Sequence, residues 1–326
     1  MEKKRVLITT SPFGKCGSKP LDLLKNTGWE IVHNPFNRRL RANEVFDLIQ
    51  DVDAVIAGTE PYPVNKLPLE NNRLKVISRV GIGLDNVDLK ECKKRGIRVT
   101  YTPDAPSKAV SELAVANILN LARYILVSDR SVRSGAWNRY LGKLVREITI
   151  GVVGVGRIGK GVIKLLSSFE PNIIATELIP DTEFSKQYNF KWVSKEELFR
   201  TSDIVTLHIP NSRQNKNYIN RETLALMKTG GMLINTSRGG ILDEEALNDA
   251  LLQHHLGGAA LDVFANEPYD GPLTQHENVI LTAHMGASAT ESRYYMELGA
   301  VEDCIRVLNN EMPVHDAFVE NPELME

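Results

Sequence analysis

Three glycines at the spacing GxGxxG, Gly154, Gly156 and Gly159, carry the first chemistry this chain offers. The apolar run Ile148–Val153 leads directly into them, and a helical segment, Lys160–Ser168, leads out. In that setting each glycine has a task. Gly154 permits a tight turn, Gly156 lets the backbone approach a pyrophosphate, and Gly159 lets the helix pack close on the strand. The helix N-terminus turns free N–H groups toward the phosphates, so the whole loop, Arg157 and Ile158 included, is assigned to a bound dinucleotide. A second apolar run, Asn172–Thr176, ends at Glu177, eighteen residues after Gly159. A carboxylate there hydrogen-bonds the adenosine ribose hydroxyls and repels a 2′-phosphate. Leu178-Ile-Pro180-Asp181 adds no basic residue, which favours NAD over NADP. The competing reading is an ordinary glycine-rich turn beside an exposed Glu; the strand–loop–helix–strand order weighs against it.

The elements that must position this loop form two successive alternations of apolar runs and amphipathic stretches. In the first, Val6–Ile8, Glu30–His33, Ala54–Ala57, Lys75–Ser78 and Ile97–Val99 read as strands. Helices begin at Pro20 and span Asn43–Gln50 and Leu89–Arg95. In the second, strands are expected at Ile148–Val153, Asn172–Ala175, Ile204–Leu207, Met232–Asn235, Ala259–Leu261 and Val279–Leu281. Near-continuous apolar strands between helices indicate parallel sheets covered on both faces. The fold class is therefore α/β, with doubly wound parallel sheets. Pro103 and Pro106 mark a boundary. The stretch Val110–Ser128 beyond them reads as one helix, apolar on more than one face and hence buried between domains or subunits. A last helix is expected over about Thr290–Leu308.

A chain of 326 residues is long enough for two domains, since single cores stop growing at roughly 250–300 residues. A net charge of −2 argues against nucleic acid or an anionic membrane as partner. The basic cluster Arg38, Arg39 and Arg41 reads as solvated surface. Cys16, Cys92 and Cys304 are too scattered for a disulfide framework or a zinc site, and no other ligand cluster suggests a metal. After Met1-Glu-Lys-Lys-Arg5 only Val6-Leu-Ile8 follows, too short for a signal-peptide core. No run approaches the ~18 apolar residues of a spanning helix. A soluble, cytoplasmic protein is expected.

Further motifs fall in a fixed order around the loop. They are Val76-Ile-Ser-Arg-Val-Gly-Ile-Gly-Leu-Asp-Asn-Val-Asp88, Ala109-Val-Ser-Glu-Leu-Ala114, Leu207-His-Ile-Pro210, Asn235-Thr-Ser-Arg-Gly239, Leu261-Asp-Val-Phe264, Glu267-Pro268 and His284-Met-Gly-Ala287. In these stretches, over nearly its whole length, the sequence resembles the NAD-dependent D-2-hydroxyacid dehydrogenase family, especially its phosphoglycerate-dehydrogenase-like branch. The resemblance implies a Rossmann cofactor domain, residues 104–288, inserted into a flavodoxin-like substrate domain of residues 1–103 and 289–326. It also implies a homodimer joined through the cofactor domains. His208 and Pro210 then belong to the loop passing the adenine. Asp262 and the backbone around Thr236 and Ser237 meet the nicotinamide carboxamide, and Gly286 lies close to its ribose. Capping of the next turn is the structural alternative for Asp262. The backbone N–H groups of Val80, Gly81, Ile82 and Gly83 are expected to receive the substrate carboxylate.

Reducing a 2-oxo acid needs a fixed hydride donor, a carboxylate clamp and a proton donor for the developing alkoxide. By the resemblance Arg238, Glu267 and His284 are the catalytic residues. Arg238, just past Met232–Asn235, suits paired carboxylate oxygens and so also counts as substrate-binding. His284, just past Val279–Leu281, protonates the nascent oxygen, or accepts the proton in the oxidative direction. Glu267, seventeen residues upstream, favours the charged imidazole and orients the ring.

Three features leave the substrate open among small 2-hydroxy or 2-oxo acids such as phosphohydroxypyruvate, hydroxypyruvate and glyoxylate. Glu60 stands near a place where phosphoglycerate dehydrogenases carry a basic residue, and its sign argues against phosphoglycerate. Tyr101 replaces a common asparagine and makes the pocket bulkier. The short tail after the last helix leaves no room for an appended regulatory domain. Arg79 is a candidate anion contact if its side chain faces the cleft. The reading from another class is a NAD(H)-sensing interaction protein of corepressor type on the same fold; the Arg-Glu-His set favours the enzyme.

Overall fold

Val6, Leu7 and Ile8 are all buried, as a strand covered on both faces requires. In the computed structural model, which describes residues 3–36 and 38–322, they lie in β1 (Arg5–Ile8). There follow α1 (Lys19–Asn26), β2 (Glu30–His33), α2 (Ala42–Ile49), β3 (Ala54–Ala57), β4 (Val76–Arg79), α3 (Leu89–Lys94) and β5 (Arg98–Thr100). The chain continues through α4 (Asp104–Arg123), α5 (Ile125–Arg133), β6 (Thr149–Val153), α6 (Arg157–Leu166), β7 (Asn172–Thr176), α7 (Thr182–Gln187), β8 (Lys191–Trp192), α8 (Lys195–Thr201) and β9 (Ile204–Leu207). It ends with α9 (Arg221–Leu226), β10 (Gly231–Asn235), α10 (Glu244–Leu252), β11 (Leu256–Leu261), β12 (Val279–Leu281), α11 (Thr290–Leu308) and α12 (Ala317–Glu320). Met1 and Glu2 of the charged start, and the outer ends of the expected first domain, fall outside the described residues. Side chains of Asp88, Asp181, Ser194, Asn220 and Asp243 accept backbone N–H groups at the starts of α3, α7, α8, α9 and α10. Each satisfies a donor that the helix itself cannot.

The chain divides into two compact units, one of residues up to Pro106 and from Ala287 on, the other Ser107–Gly286. The first holds a five-stranded parallel sheet in the order β2-β1-β3-β4-β5. That is the flavodoxin-like order, with its switch point between β1 and β3. Successive residues of β1 feed opposite cores. Leu7 joins Val45 and Ile49 of α2 and Leu89 and Cys92 of α3. Val6 and Ile8 join Leu24 of α1 and Met296, Ala300, Val301 and Cys304 of α11.

The second unit holds seven parallel strands in the order β12-β11-β10-β9-β6-β7-β8. From its own first strand this is the Rossmann order, with the switch point between β6 and β9. Ala114 and Ile118 of α4 and Val162, Ile163 and Leu166 of α6 cover one face. Leu198 and Phe199 of α8, Leu224 of α9 and Leu247 of α10 cover the other. The two parallel sheets are those the sequence predicts. The single helix expected over Val110–Ser128 is instead the pair α4 and α5, bent by 63°. Tyr124 turns left-handed at φ 53° between them, and the Asn120 carboxamide accepts the Leu126 N–H at 2.9 Å, capping the second helix. Among the described residues no single helix is long and apolar enough to cross a membrane.

Candidate active site and cofactor loop

β6 ends where the glycine loop begins, at the switch point of the second sheet. Gly154 adopts φ +87°, and a Cβ there would lie 2.7 Å from the His208 carbonyl oxygen. A Cβ on Gly159 would come within 2.1 Å of the Gly154 carbonyl oxygen. Gly156 differs: no protein atom stands within 4 Å of its would-be Cβ. Arg157 is exposed at the first position of α6, while Ile158 packs partly into the core below. Across the loop, Glu177 accepts the Val155 N–H at 2.7 Å and the Leu178 N–H at 2.8 Å. Lys160 of α6 is bound to Asp181 at 2.6 Å, and this pairing lowers the Asp181 pKa.

Two buried polar atoms at the ends of neighbouring strands have no hydrogen-bond partner among the described residues: His208 Nδ1 after β9 and Thr236 Oγ1 after β10. The other His208 nitrogen, Nε2, lies 3.0 Å from Thr206 Oγ1. Burial lowers the His208 pKa to about 3, so the ring is neutral near pH 7. Unmet hydrogen-bonding capacity in a buried place is costly. With the open space at Gly156, these atoms fit a dinucleotide laid across the strand ends. Ser237 is turned inward, its hydroxyl on Asn235 Oδ1 at 2.9 Å. Pro210 is exposed, and its carbonyl accepts from Asn215 Nδ2 at 2.9 Å.

The ends of β10, β11 and β12, three adjacent strands, carry Arg238, Glu267 and His284. His284 Nδ1 lies 2.9 Å from Glu267 Oε2, and the Phe264 N–H donates to Glu267 Oε1 at 3.1 Å. The carboxylate is thereby fixed, and His284 keeps about half its side chain exposed. Arg238 hydrogen-bonds the Ser237 carbonyl at 2.7 Å. Asn235 was not singled out from sequence, yet it shapes this turn: its amide donates to the Arg238 carbonyl at 2.9 Å and its oxygen accepts the Ser237 N–H at 3.0 Å. An asparagine at a strand end before Thr-Ser is the available signal. Glu244 is a second residue not singled out from sequence. It accepts the Ala265 N–H at 2.7 Å, and burial, then Glu267, raise its pKa.

Asp262 makes the contacts of its structural alternative. Its carboxylate accepts from Thr282 Oγ1 at 2.6 Å, the Met285 N–H at 2.8 Å and the Gly286 N–H at 2.7 Å. It therefore clamps the segment in which His284 holds φ 50°, a conformation that costs a non-glycine residue free energy. Among the described residues no group of side chains is arranged to hold a metal ion.

In the first unit, the expected carboxylate receptors divide into two pairs. The Val80 N–H donates to the Ala57 carbonyl at 2.9 Å and the Gly81 N–H to Thr102 Oγ1 at 2.8 Å. Three expectations need correction here. Glu60 is buried, bound by the Tyr62 hydroxyl at 3.1 Å and Thr9 Oγ1 at 3.3 Å. Its sign therefore carries no argument against a phosphorylated substrate. Tyr101 is buried: it packs in the core and donates to Glu320 at 3.0 Å. Arg79 is also buried, and its guanidinium is held by backbone carbonyls.

The profile of the "D-isomer specific 2-hydroxyacid dehydrogenase, NAD binding domain" family matches residues 115–286, just over half the chain. Glyoxylate reductase of Thermofilum pendens is 36% identical over 311 residues, 90% of this chain and 89% of its own length. D-3-phosphoglycerate dehydrogenase of a Synechocystis species is 36% identical over 291 residues, 88% of this chain but only 52% of its own length. The chain thus spans about half of that relative. Among solved structures, the TT0316 protein of Thermus thermophilus superposes with a TM-score of 0.85 at 33% identity, covering 96% of this chain and 99% of its own. The chain belongs to the D-isomer specific 2-hydroxyacid dehydrogenase family, and residues 115–286 are its NAD-binding domain.

Proposed function

We propose that this protein is a NAD-dependent D-2-hydroxyacid dehydrogenase that interconverts a small 2-oxo acid and its D-2-hydroxy acid. The observation that carries the reading is the 2.9 Å pair of His284 Nδ1 and Glu267 Oε2 on adjacent strand ends of the NAD-binding domain. NAD, when bound, supplies or accepts the hydride. With Nδ1 committed to Glu267, the His284 Nε2 is left to deliver a proton to the substrate oxygen or take it back. Arg238 clamps the carboxylate through its planar fork. The relatives' names extend from glyoxylate to phosphoglycerate, which supports a small 2-oxo acid in that range as substrate.

The same reading makes the protein a homodimer through the NAD-binding units. Trp137, Leu141 and Leu144, exposed by 78%, 95% and 60% in the segment after α5, supply the apolar surface for it. The three free cysteines fit a reducing cytoplasm.

The test is NADH consumption by the purified protein with glyoxylate, hydroxypyruvate and phosphohydroxypyruvate, with His284→Ala as control. Turnover that the variant loses supports the enzyme. Tight NADH binding without turnover on the whole panel overturns it in favour of a NAD(H) sensor.

A further inference from the structure

Arg79 is the last residue of β4 and directly precedes the loop Val80–Gly83. Its side chain is buried, yet a buried cation is costly unless its donors are met. They are met by the ends of two strands. Nε donates to the Gly83 carbonyl at 3.0 Å, and Nη1 donates to the carbonyls of Ala57, at 3.1 Å, and Gly58, both at the end of β3. A Cβ on Gly81 would lie 3.8 Å from the second terminal nitrogen, so the guanidinium underlies the loop.

The loop is fastened at three places. The Val80 N–H continues the sheet ladder to Ala57, Thr102 Oγ1 accepts the Gly81 N–H, and Arg79 holds the Gly83 carbonyl. Gly81 sits at φ +140°, a conformation reserved for glycine. Two consecutive amides, those of Ile82 and Gly83, have no acceptor among the described residues. Adjacent N–H groups held in a fixed turn form an anion receptor. Charge balance for Arg79 is at hand in Glu60, buried nearby; both charges act on the Tyr62 hydroxyl, whose pKa burial and then Glu60 raise.

We propose that Arg79 is a positioning residue: its buried fork fixes the loop so that the Ile82 and Gly83 amides receive the substrate carboxylate, and it touches no substrate itself. This rests on the dehydrogenase reading and deepens it by separating the amides that bind from those that brace. The function lies in the fork geometry rather than the charge, because three carbonyls in different directions need the planar donor set of arginine.

The experiment compares Arg79→Lys and Thr102→Val with the wild type in three readouts. These are steady-state kinetics with glyoxylate and phosphohydroxypyruvate, NADH affinity by fluorescence, and hydrogen exchange of residues 80–84. Expected are a KM raised about tenfold or more for both substrates alike, a smaller change in kcat, unchanged NADH affinity and faster exchange in the loop. Lysine fails to rescue although it keeps the charge. A KM effect confined to phosphohydroxypyruvate overturns the proposal, since it means that Arg79 meets the substrate's second anion. Unchanged KM and exchange in Arg79→Lys overturn it as well. If the wild type reduces neither substrate, it is the dehydrogenase reading that falls. Exchange in the variants, measured on the NADH-bound protein, then decides the loop clamp alone: faster exchange upholds it and equal exchange overturns it.

Discussion

His284 is held from two sides: its Nδ1 lies 2.9 Å from Glu267 Oε2, and its backbone N–H donates to the Asp262 carbonyl at 2.9 Å. Ring and backbone are thus fixed by different carboxylate residues. His284→Ala is expected to lower turnover on the order of a hundredfold or more. Glu267→Gln is expected to lower kcat and kcat/KM together by a smaller factor. The double variant should be hardly worse than His284→Ala, because the two residues act as a unit. Additive losses in steady-state kinetics would mean that Glu267 works independently of the histidine.

Gly156 and Gly159 should separate ligand space from protein space. In Gly159→Ala the new methyl meets the Gly154 carbonyl oxygen at 2.1 Å, so a stability loss of about 1–3 kcal/mol is expected. Gly156→Ala meets no protein atom within 4 Å. Its urea midpoint should stay near that of the wild type while NADH affinity falls about tenfold or more. A destabilised Gly156→Ala, or one that binds NADH normally, would contradict the loop assignment.

Glu177 holds two backbone amides, and the sequence assigns its carboxylate to the adenosine ribose of NAD. Glu177→Ser should raise the ratio of kcat/KM with NADPH to that with NADH by at least about tenfold, one like-charge contact being removed. An unchanged ratio would place the discrimination elsewhere.

His208 makes an acid-stability prediction. Its folded pKa of about 3 lies below the ordinary 6.5. Below pH 6.5 the unfolded chain takes up a proton that the folded chain refuses, so stability is full above that pH and falls as the pH drops toward 3. At pH 5 the loss is about 2 kcal/mol. His208→Gln should therefore lose less stability between pH 7 and pH 5 than the wild type in urea titrations. Equal losses would show that the ring is not effectively desolvated.

Assembly is tested by sedimentation. Trp137→Ser with Leu141→Ser removes the two most exposed large apolar side chains of the segment after α5. The expected outcome is a wild-type dimer and a variant monomer at micromolar concentration.

Strand positions were legible because runs such as Ile204–Leu207 are buried at every residue, and uninterrupted apolarity marks a covered parallel strand. The loop glycines were legible from spacing, and the Glu267–His284 pair through the family resemblance. The break at Tyr124 was not: a left-handed tyrosine carries no glycine or proline to announce it, and its cap comes from Asn120, inside the preceding helix. Nor were the directions of Arg79, Glu60 and Tyr101. Each follows a strand or ends one, where alternation alone allows either face, and partners far along the chain such as Gly83 or Glu320 decide. The two-residue strand β8 is too short to leave a pattern.

The placing of α11 against the first sheet bears on how the chain matures. Met296, Ala300, Val301 and Cys304 close the core that Val6, Ile8, Ala54 and Ile56 open, so a growing polypeptide carries that apolar sheet face only partly covered, by α1, while the whole of Ser107–Gly286 is being made. The middle of the chain has all its own strands in hand once Gly286 is added. The strand β1, made early, is thus among the last elements to be fully sheltered, and the interval is one in which the nascent chain depends on chaperones or on speed to avoid aggregation.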